Sequence, residues 1–270
     1  MEEKRVYKPF IVIDTHNQLC NKYATSLKNK GYVVKCLNPL NPKGSNHYNF
    51  MDYIRDEKDI EKLAERLMET TDETYDKNDD SLYEDRLIVI KKVDTVLIEA
   101  LIAYIHFHRI HSEQSIQEVC KLLDIAKNKN TQGTSELDEI FTKIKQYGYE
   151  DYAVEKYDEF RERASEWDEY IKSVTACANR LSVYMKENIA QITATDDVEL
   201  DKFIDKQTVL FIVAPFDDDN FNSVMQILQM QLGEILSKIV ETEEDAKCYV
   251  MDTEEYVKKI LKVNLKKQIQ

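Results

Sequence analysis

The most restrictive feature of this sequence is the distance between its strand patterns. Residues 10–14 (FIVID) and 32–37 (YVVKCL) are short apolar runs rich in β-branched and aromatic side chains. Between them, Asp14-Thr15-His16-Asn17 supplies turn and cap chemistry, a helical pattern covers 17–30, and Gly31 stops it. Strand, helix, strand is the order of a parallel α/β sheet, a class that carries its ligands at the carboxyl ends of the strands. No comparable strand returns until 208–214 (TVLFIVA), followed by a helix over 220–239 and a last strand over 247–251 (KCYVM). The sheet must therefore be interrupted by an insertion and then resumed.

The insertion reads as helical. A loop over 38–53 precedes it, with Pro39 and Pro42 each in an Asn-Pro dipeptide; a loop of this length is functional or is pinned by its own aromatics. Asp56 caps an amphipathic helix reaching about residue 69, and 70–80 (TTDETYDKNDD) is an acidic link. From 82 to 185 apolar residues recur at i, i+3, i+4 and i+7, as in Val93, Val96, Leu97, Ala100, Leu101 and Tyr104. Breaks near Ser112, over 128–134 and at Gly148 predict about four helices. With 5 Gly and 4 Pro in 270 residues, a turn-dense all-β fold is disfavoured. The division expected is 1–70 and 197–270 for the two parts of the α/β domain, with 71–196 as an inserted all-α domain.

Charge narrows the partners. With 37 basic and 51 acidic side chains the formal net charge is −14, which repels nucleic-acid phosphates. The main lysine cluster, 258–267, offers only a few phosphate contacts. Affinity from such contacts falls with salt at a log–log slope of about −0.9 per neutralised phosphate on duplex DNA and about −0.7 on single strands. The composition argues against direct DNA binding and suits a basic protein partner. Cys20, Cys36, Cys120, Cys177 and Cys248 show no metal or redox spacing and read as reduced thiols. No signal peptide is visible, and no apolar run reaches the ~20 residues needed to span a bilayer. The longest, over 93–105, is broken by Asp94 and Glu99. A cytoplasmic location is the expectation.

The chemistry-bearing motifs are sparse. A phosphate loop needs glycines as GxxxxGK[ST], but none of Gly31, Gly44, Gly133, Gly148 and Gly233 precedes Lys-Ser or Lys-Thr, and none lies in a strand-to-helix turn. No nucleotide hydrolysis and no cofactor are expected. Asp252 follows an apolar strand, where a Walker-B acid stands, but capping is its simpler role. Asp217-Asp218-Asp219 could hold Mg²⁺, and helix capping again is the simpler reading. Of His106, His108 and His111, only the last two share a helical face, too few ligands for a metal site. Trp167, the single tryptophan, reads as a packing anchor.

Several of these stretches together resemble the conjugative type IV secretion coupling proteins, the TraG/TraD-like DNA-transfer ATPases. They are residues 10–19, 22–50 and 53–68, then LIEALIAYIH (97–106), DYAVEKYDEF (151–160), IKSVTACANRL (171–181) and the run over 196–236. The likeness covers most of residues 10–240. It implies a partial RecA-like, P-loop-type parallel sheet interrupted by an all-α lobe, helix-dominated throughout. Family members are hexameric, membrane-anchored ATPases that deliver DNA and relaxase to a secretion channel.

The departures matter as much. In the family, membrane helices and a glycine-rich Walker A precede the strand at Phe10, and this sequence begins after them. Where the family has Asp-Pro-Lys-Gly-Glu-Leu, this chain reads Asp14-Thr15-His16-Asn17-Gln18-Leu19. Where the family's Walker B reads Asp-Glu-Phe-Ala-Asn, Asp252-Thr253-Glu254 keeps the Asp and loses the Glu. Asp14 and Asp252 are thus remnants of a nucleotide site, and no catalytic residue is expected. The resemblance implies that the all-α lobe binds a relaxase, another relaxosome protein or an intact coupling protein, which would recruit the chain to the inner face of the cell membrane. Tyr157, Phe160, Trp167 and Tyr170 are the candidate contact residues. Two alternatives stay open: a subunit completing a nucleotide site on an intact neighbour through Asp252 or Asp217–Asp219, and a decayed remnant.

Overall fold

The computed structural model describes residues 9–70, 81–131, 133–149, 151–203, 205–213, 219–237 and 250–251. The chain forms two compact units, Met1–Tyr48 with Thr195–Gln270, and Asn49–Ala194.

The first unit holds a four-stranded parallel sheet of order β2-β3-β1-β4, with β1 at Phe10–Ile13, β2 at Val33–Leu37, β3 at Thr208–Ile212 and β4 at Val250–Met251. Phe10 faces Val209 and Ile13 faces Ile212, while Leu37 faces the same Ile212 from the other side. Strand β3 is buried along its whole length, which is why its sequence is apolar without alternation. Helix α1 (Leu19–Lys28) lays Tyr23 and Leu27 onto Phe10, Val12, Val209 and Phe211. Gly31, at φ +89, lets the chain turn from α1 into β2. A second helix, Asp219–Ser237, buries Phe221, Val224, Ile227 and Leu228.

The loop after β2 is held by polar side chains. Asn46 returns two bonds to Cys36, accepting from its amide at 2.7 Å and donating its own amide to the Cys36 carbonyl at 2.7 Å. Asp197 accepts from the His47 amide at 2.7 Å and from Asn46 Nδ2 at 3.0 Å. The His47 carbonyl in turn accepts from the amides of Asp197 and Val198, both at 3.0 Å. Tyr48 is fully buried and its hydroxyl donates to Gln231 Oε1 at 2.6 Å.

The second unit is helical: α2 (Glu57–Thr70), α3 (Ser81–His108), α4 (Ile116–Ala126), α5 (Glu136–Gln146), α6 (Tyr152–Arg163), α7 (Trp167–Leu181) and α8 (Glu187–Thr193). The second helix of the first unit, Asp219–Ser237, is α9 in chain order. Helix α3 is central, packed on α2, α4, α6 and α7. Its residues Val96–Ile98 and Ala100–Ile105 are buried on every side, the mark of a helix surrounded by others.

Two expectations shift. The junction falls between Tyr48 and Asn49 rather than between residues 70 and 71, because α2 buries Ile60, Leu63 and Leu67 in the helical unit and packs on α3. The return, between Ala194 and Thr195, lies within two residues of 196/197. Five helices rather than four cover the span 82–185 among the described residues. The additional break sits at Ala164, at φ −123 and ψ 60, whose carbonyl is held by Arg161 Nη1 at 2.6 Å. No helix among the described residues is long and apolar enough to cross a membrane. The acidic stretch 71–80, Asp217 and Asp218, and everything from Asp252 on, including Lys258–Lys267, lie outside the described residues.

Candidate functional site

Asp14 stands at the carboxyl end of β1, where an open parallel sheet binds its ligands. It is 1% exposed, and its carboxylate is fully engaged. Oδ1 accepts from the Gln18 amide at 3.0 Å, and Oδ2 accepts from the amides of Leu19 at 2.7 Å and Cys20 at 3.2 Å. These are the N–H groups that open α1, and at a strand-to-helix turn they are the donors a phosphate would take. Here an internal anion already holds them. The turn is closed by Asn17, at φ 54, whose Oδ1 accepts from Asn38 Nδ2 at 2.9 Å. Asp14→Ala should lower stability by about 1–2 kcal/mol, the loss of a cap plus buried N–H groups left without an acceptor. Urea unfolding of the full chain checks this, and an unchanged midpoint would show that the cap is dispensable.

The four aromatic residues proposed from sequence do not form a surface. Tyr157, Phe160 and Tyr170 are 3%, 0% and 0% exposed. The Tyr157 ring stacks on Phe141 at 3.9 Å and 6°, and Phe160 lies between Tyr157 at 6.1 Å and Tyr170 at 5.7 Å. Their hydroxyls are used internally: Tyr157 donates to Asp138 Oδ1 at 2.8 Å and Tyr170 to Ser135 Oγ at 2.8 Å. Burial pushes the Tyr170 hydroxyl up to about 12 and the Tyr157 hydroxyl further. Three of the four proposed contact residues are therefore core. The sequence carried the signal: Tyr157 and Phe160 are three apart, and Tyr170, Val174, Cys177 and Leu181 keep one helical face. Trp167 differs. It is half-buried, stacks on Tyr170 at 5.4 Å, and has Lys129 Nζ 4.6 Å from its ring centre.

The histidines part company. His108 Nε2 lies 2.6 Å from Asp151 Oδ2, while Asp151 Oδ1 accepts from the amides of Ala153 and Val154 and so caps α6. His111 faces Asp52 at 3.9 Å, and burial lowers the pKa of His106. Among the described residues no three His, Cys, Asp or Glu side chains gather in a metal-binding group. Glu99, buried in α3, is paired with Lys156 Nζ at 2.9 Å and accepts from Tyr152 at 3.3 Å. Burial raises its pKa, with the Lys156 pairing opposing.

Comparison with known proteins gives three results. Curated proteins provide no match. Among solved structures, the unbound monoclinic form of the bacterial conjugative coupling protein TrwBdeltaN70 is similar at 13% identity and a TM-score of 0.49, over 87% of this chain and 52% of that one. The plasmid coupling protein TrwB in complex with the non-hydrolysable GTP analogue GDPNP is similar at 13% identity and 0.48, over 87% and 54%. The chain thus spans about half the length of these structures. A family model described as type IV secretory system conjugative DNA transfer matches residues 6–252. That match takes in both strand-bearing segments and the helices between them, and the chain belongs to the type IV secretory system conjugative DNA transfer family.

Proposed function

We propose that this chain serves conjugative DNA transfer as a non-enzymatic module. In this reading its helical unit binds a relaxase, a second relaxosome protein or an intact coupling protein. Family membership supplies the transfer role. The observation that supports a binding rather than a hydrolytic task is the state of Asp14: the amides at the strand-to-helix turn are spent on a buried carboxylate. An acidic chain favours a basic partner protein over DNA, and it would work on the cytoplasmic side, held at the membrane by that partner.

Two measurements test this. In a thermal melt with ATP and Mg²⁺, a binding chain at 100 times the Kd gains about 2.7 kcal/mol, a shift of several degrees. No shift and no phosphate release are expected, and a reproducible shift of that size overturns the non-enzymatic reading. Calorimetry with a purified relaxase at about 0.15 M salt, where weak long-range attraction is screened, should show binding. Band shifts with single- and double-stranded DNA should show none at the same salt. DNA binding without relaxase binding reverses the partner assignment.

A further inference from the structure

Among the described residues six large apolar side chains are exposed, and four of them stand at one end of the helical unit. Phe107 and Ile110 lie on either side of His108, where α3 ends, and Tyr147 and Tyr149 follow the end of α5. Tyr147 is 82% exposed. The two segments meet through His108. Its ring stacks on Tyr104 at 5.7 Å and 22° and meets Tyr149 edge-on at 5.3 Å and 85°. Its Nε2 lies 2.6 Å from Asp151 Oδ2. Gly148, at φ 84, turns the chain after α5, and the Tyr149 amide donates back to the Ile144 carbonyl at 3.4 Å. Tyr149 is thereby held against α3. Single exposed apolar side chains are ordinary, but a group of them rimmed by charge marks an interaction surface.

A cavity of about 370 Å³ shares Asp151 with this surface and is lined by Lys145, Asp151, Val154, Glu155 and Asp158. Three carboxylates there stand against one ammonium, and that ammonium is already paired with Asp158. Asp151 is held by His108 through one oxygen and caps α6 with the other. Glu155 is exposed in the first turn of α6. The chain between Lys145 and Asp151 carries Tyr147 and Tyr149, and a tyrosine face attracts a cation.

We propose that this end of the helical unit is the docking surface for an arginine-bearing segment of a partner protein. The guanidinium enters the cavity beside Glu155, and apolar side chains of the same segment lie on Tyr147 and Tyr149. Docking here rests on the reading that the helical unit binds a basic protein, and the surface is the part of that unit which does so. The occupant follows from charge complementarity. A carboxylate excess repels phosphate and a second copy of this acidic chain alike, and it attracts a cation. Guanidinium suits the site better than ammonium, because its planar fork pairs with carboxylates and stacks on aromatic faces.

Calorimetry on the full chain at about 0.15 M salt tests this with two titrants, a synthetic amphipathic peptide of arginine and leucine and a purified relaxase. The wild type should bind the arginine peptide and not its glutamate counterpart. Tyr147→Ser and Glu155→Lys should each weaken peptide binding by about tenfold or more. Glu155→Gln, which keeps the side-chain shape, should weaken it in the same direction. Glu169→Lys makes the same charge change in α7, where Tyr170 packs on Phe160 near the other end of α6, and should leave binding unchanged. No peptide binding by the wild type, an equal loss in Glu169→Lys, or full affinity in Tyr147→Ser and the Glu155 variants overturns the surface. A relaxase that binds those variants as tightly as the wild type also overturns the surface and leaves the binding role standing. A relaxase that does not bind the wild type, with the peptide bound as expected, overturns the role and leaves the surface standing.

Discussion

Replacing Phe160 with alanine is expected to destabilise the helical unit by about 3–5 kcal/mol, the range for truncating a large aromatic in a packed core. The ring is fully buried on α6 and sits between Tyr157 and Tyr170, so its loss opens a space that two stacked neighbours cannot close. A domain's whole stability is about 5–15 kcal/mol, so the loss is a large fraction of it. Urea unfolding followed by far-ultraviolet circular dichroism measures the effect. Trp167→Ala is the contrast: half-buried, with one stacked partner and one lysine over its face, it should cost clearly less. If Phe160→Ala kept full stability and lost only partner binding, the aromatic row would be a contact surface after all.

Asp94→Asn is expected to act in the opposite direction. Asp94 is 1% exposed in α3, and its Oδ1 has no hydrogen-bond partner. Burial pushes its pKa from the ordinary 3.8 up to about 6, against the Ser173 hydrogen bond and the Arg180 charge, which favour ionisation. The folded chain therefore keeps a proton that the unfolded chain releases. Stability from the neutral form is fully present below about pH 3.8, falls as pH rises to about 6, and stays low above that. The difference between those values corresponds to about 3 kcal/mol. Asparagine imitates the neutral acid, so the variant should be more stable than the wild type by up to about 3 kcal/mol at pH 8. The two should converge toward pH 4. Parallel stability curves over pH 4.5–8 would show that Asp94 does not titrate in this interval.

The sheet was legible because buried parallel strands advertise themselves. FIVI and TVLFI are continuous apolar runs, and the turn chemistry at Asp14 marks the helix that follows. The limits of the insertion were harder to read. An amphipathic pattern over 57–70 states that α2 has a partner but not which, and the partner is α3. The break at Ala164 carries no glycine or proline and depends on an arginine reaching a carbonyl, an arrangement no local pattern announces. Tyr157, Phe160 and Tyr170 are core, and their spacing along α6 and α7 describes the inward face that composition does not reveal.

The clasp between Asn46–His47 and Asp197–Val198 carries a consequence for how such a chain can change. The chain departs from the sheet-bearing unit and re-enters it at adjacent points, and the polypeptide on either side of the gap is already fastened to itself. Material spliced in at that point does not have to bridge a distance or bear the register of β1 against β3. Variation in the length, helix number or surface chemistry of residues 49–194 can therefore accumulate without cost to strand pairing. A lineage can exchange such an interior cassette while inheriting the scaffold unaltered.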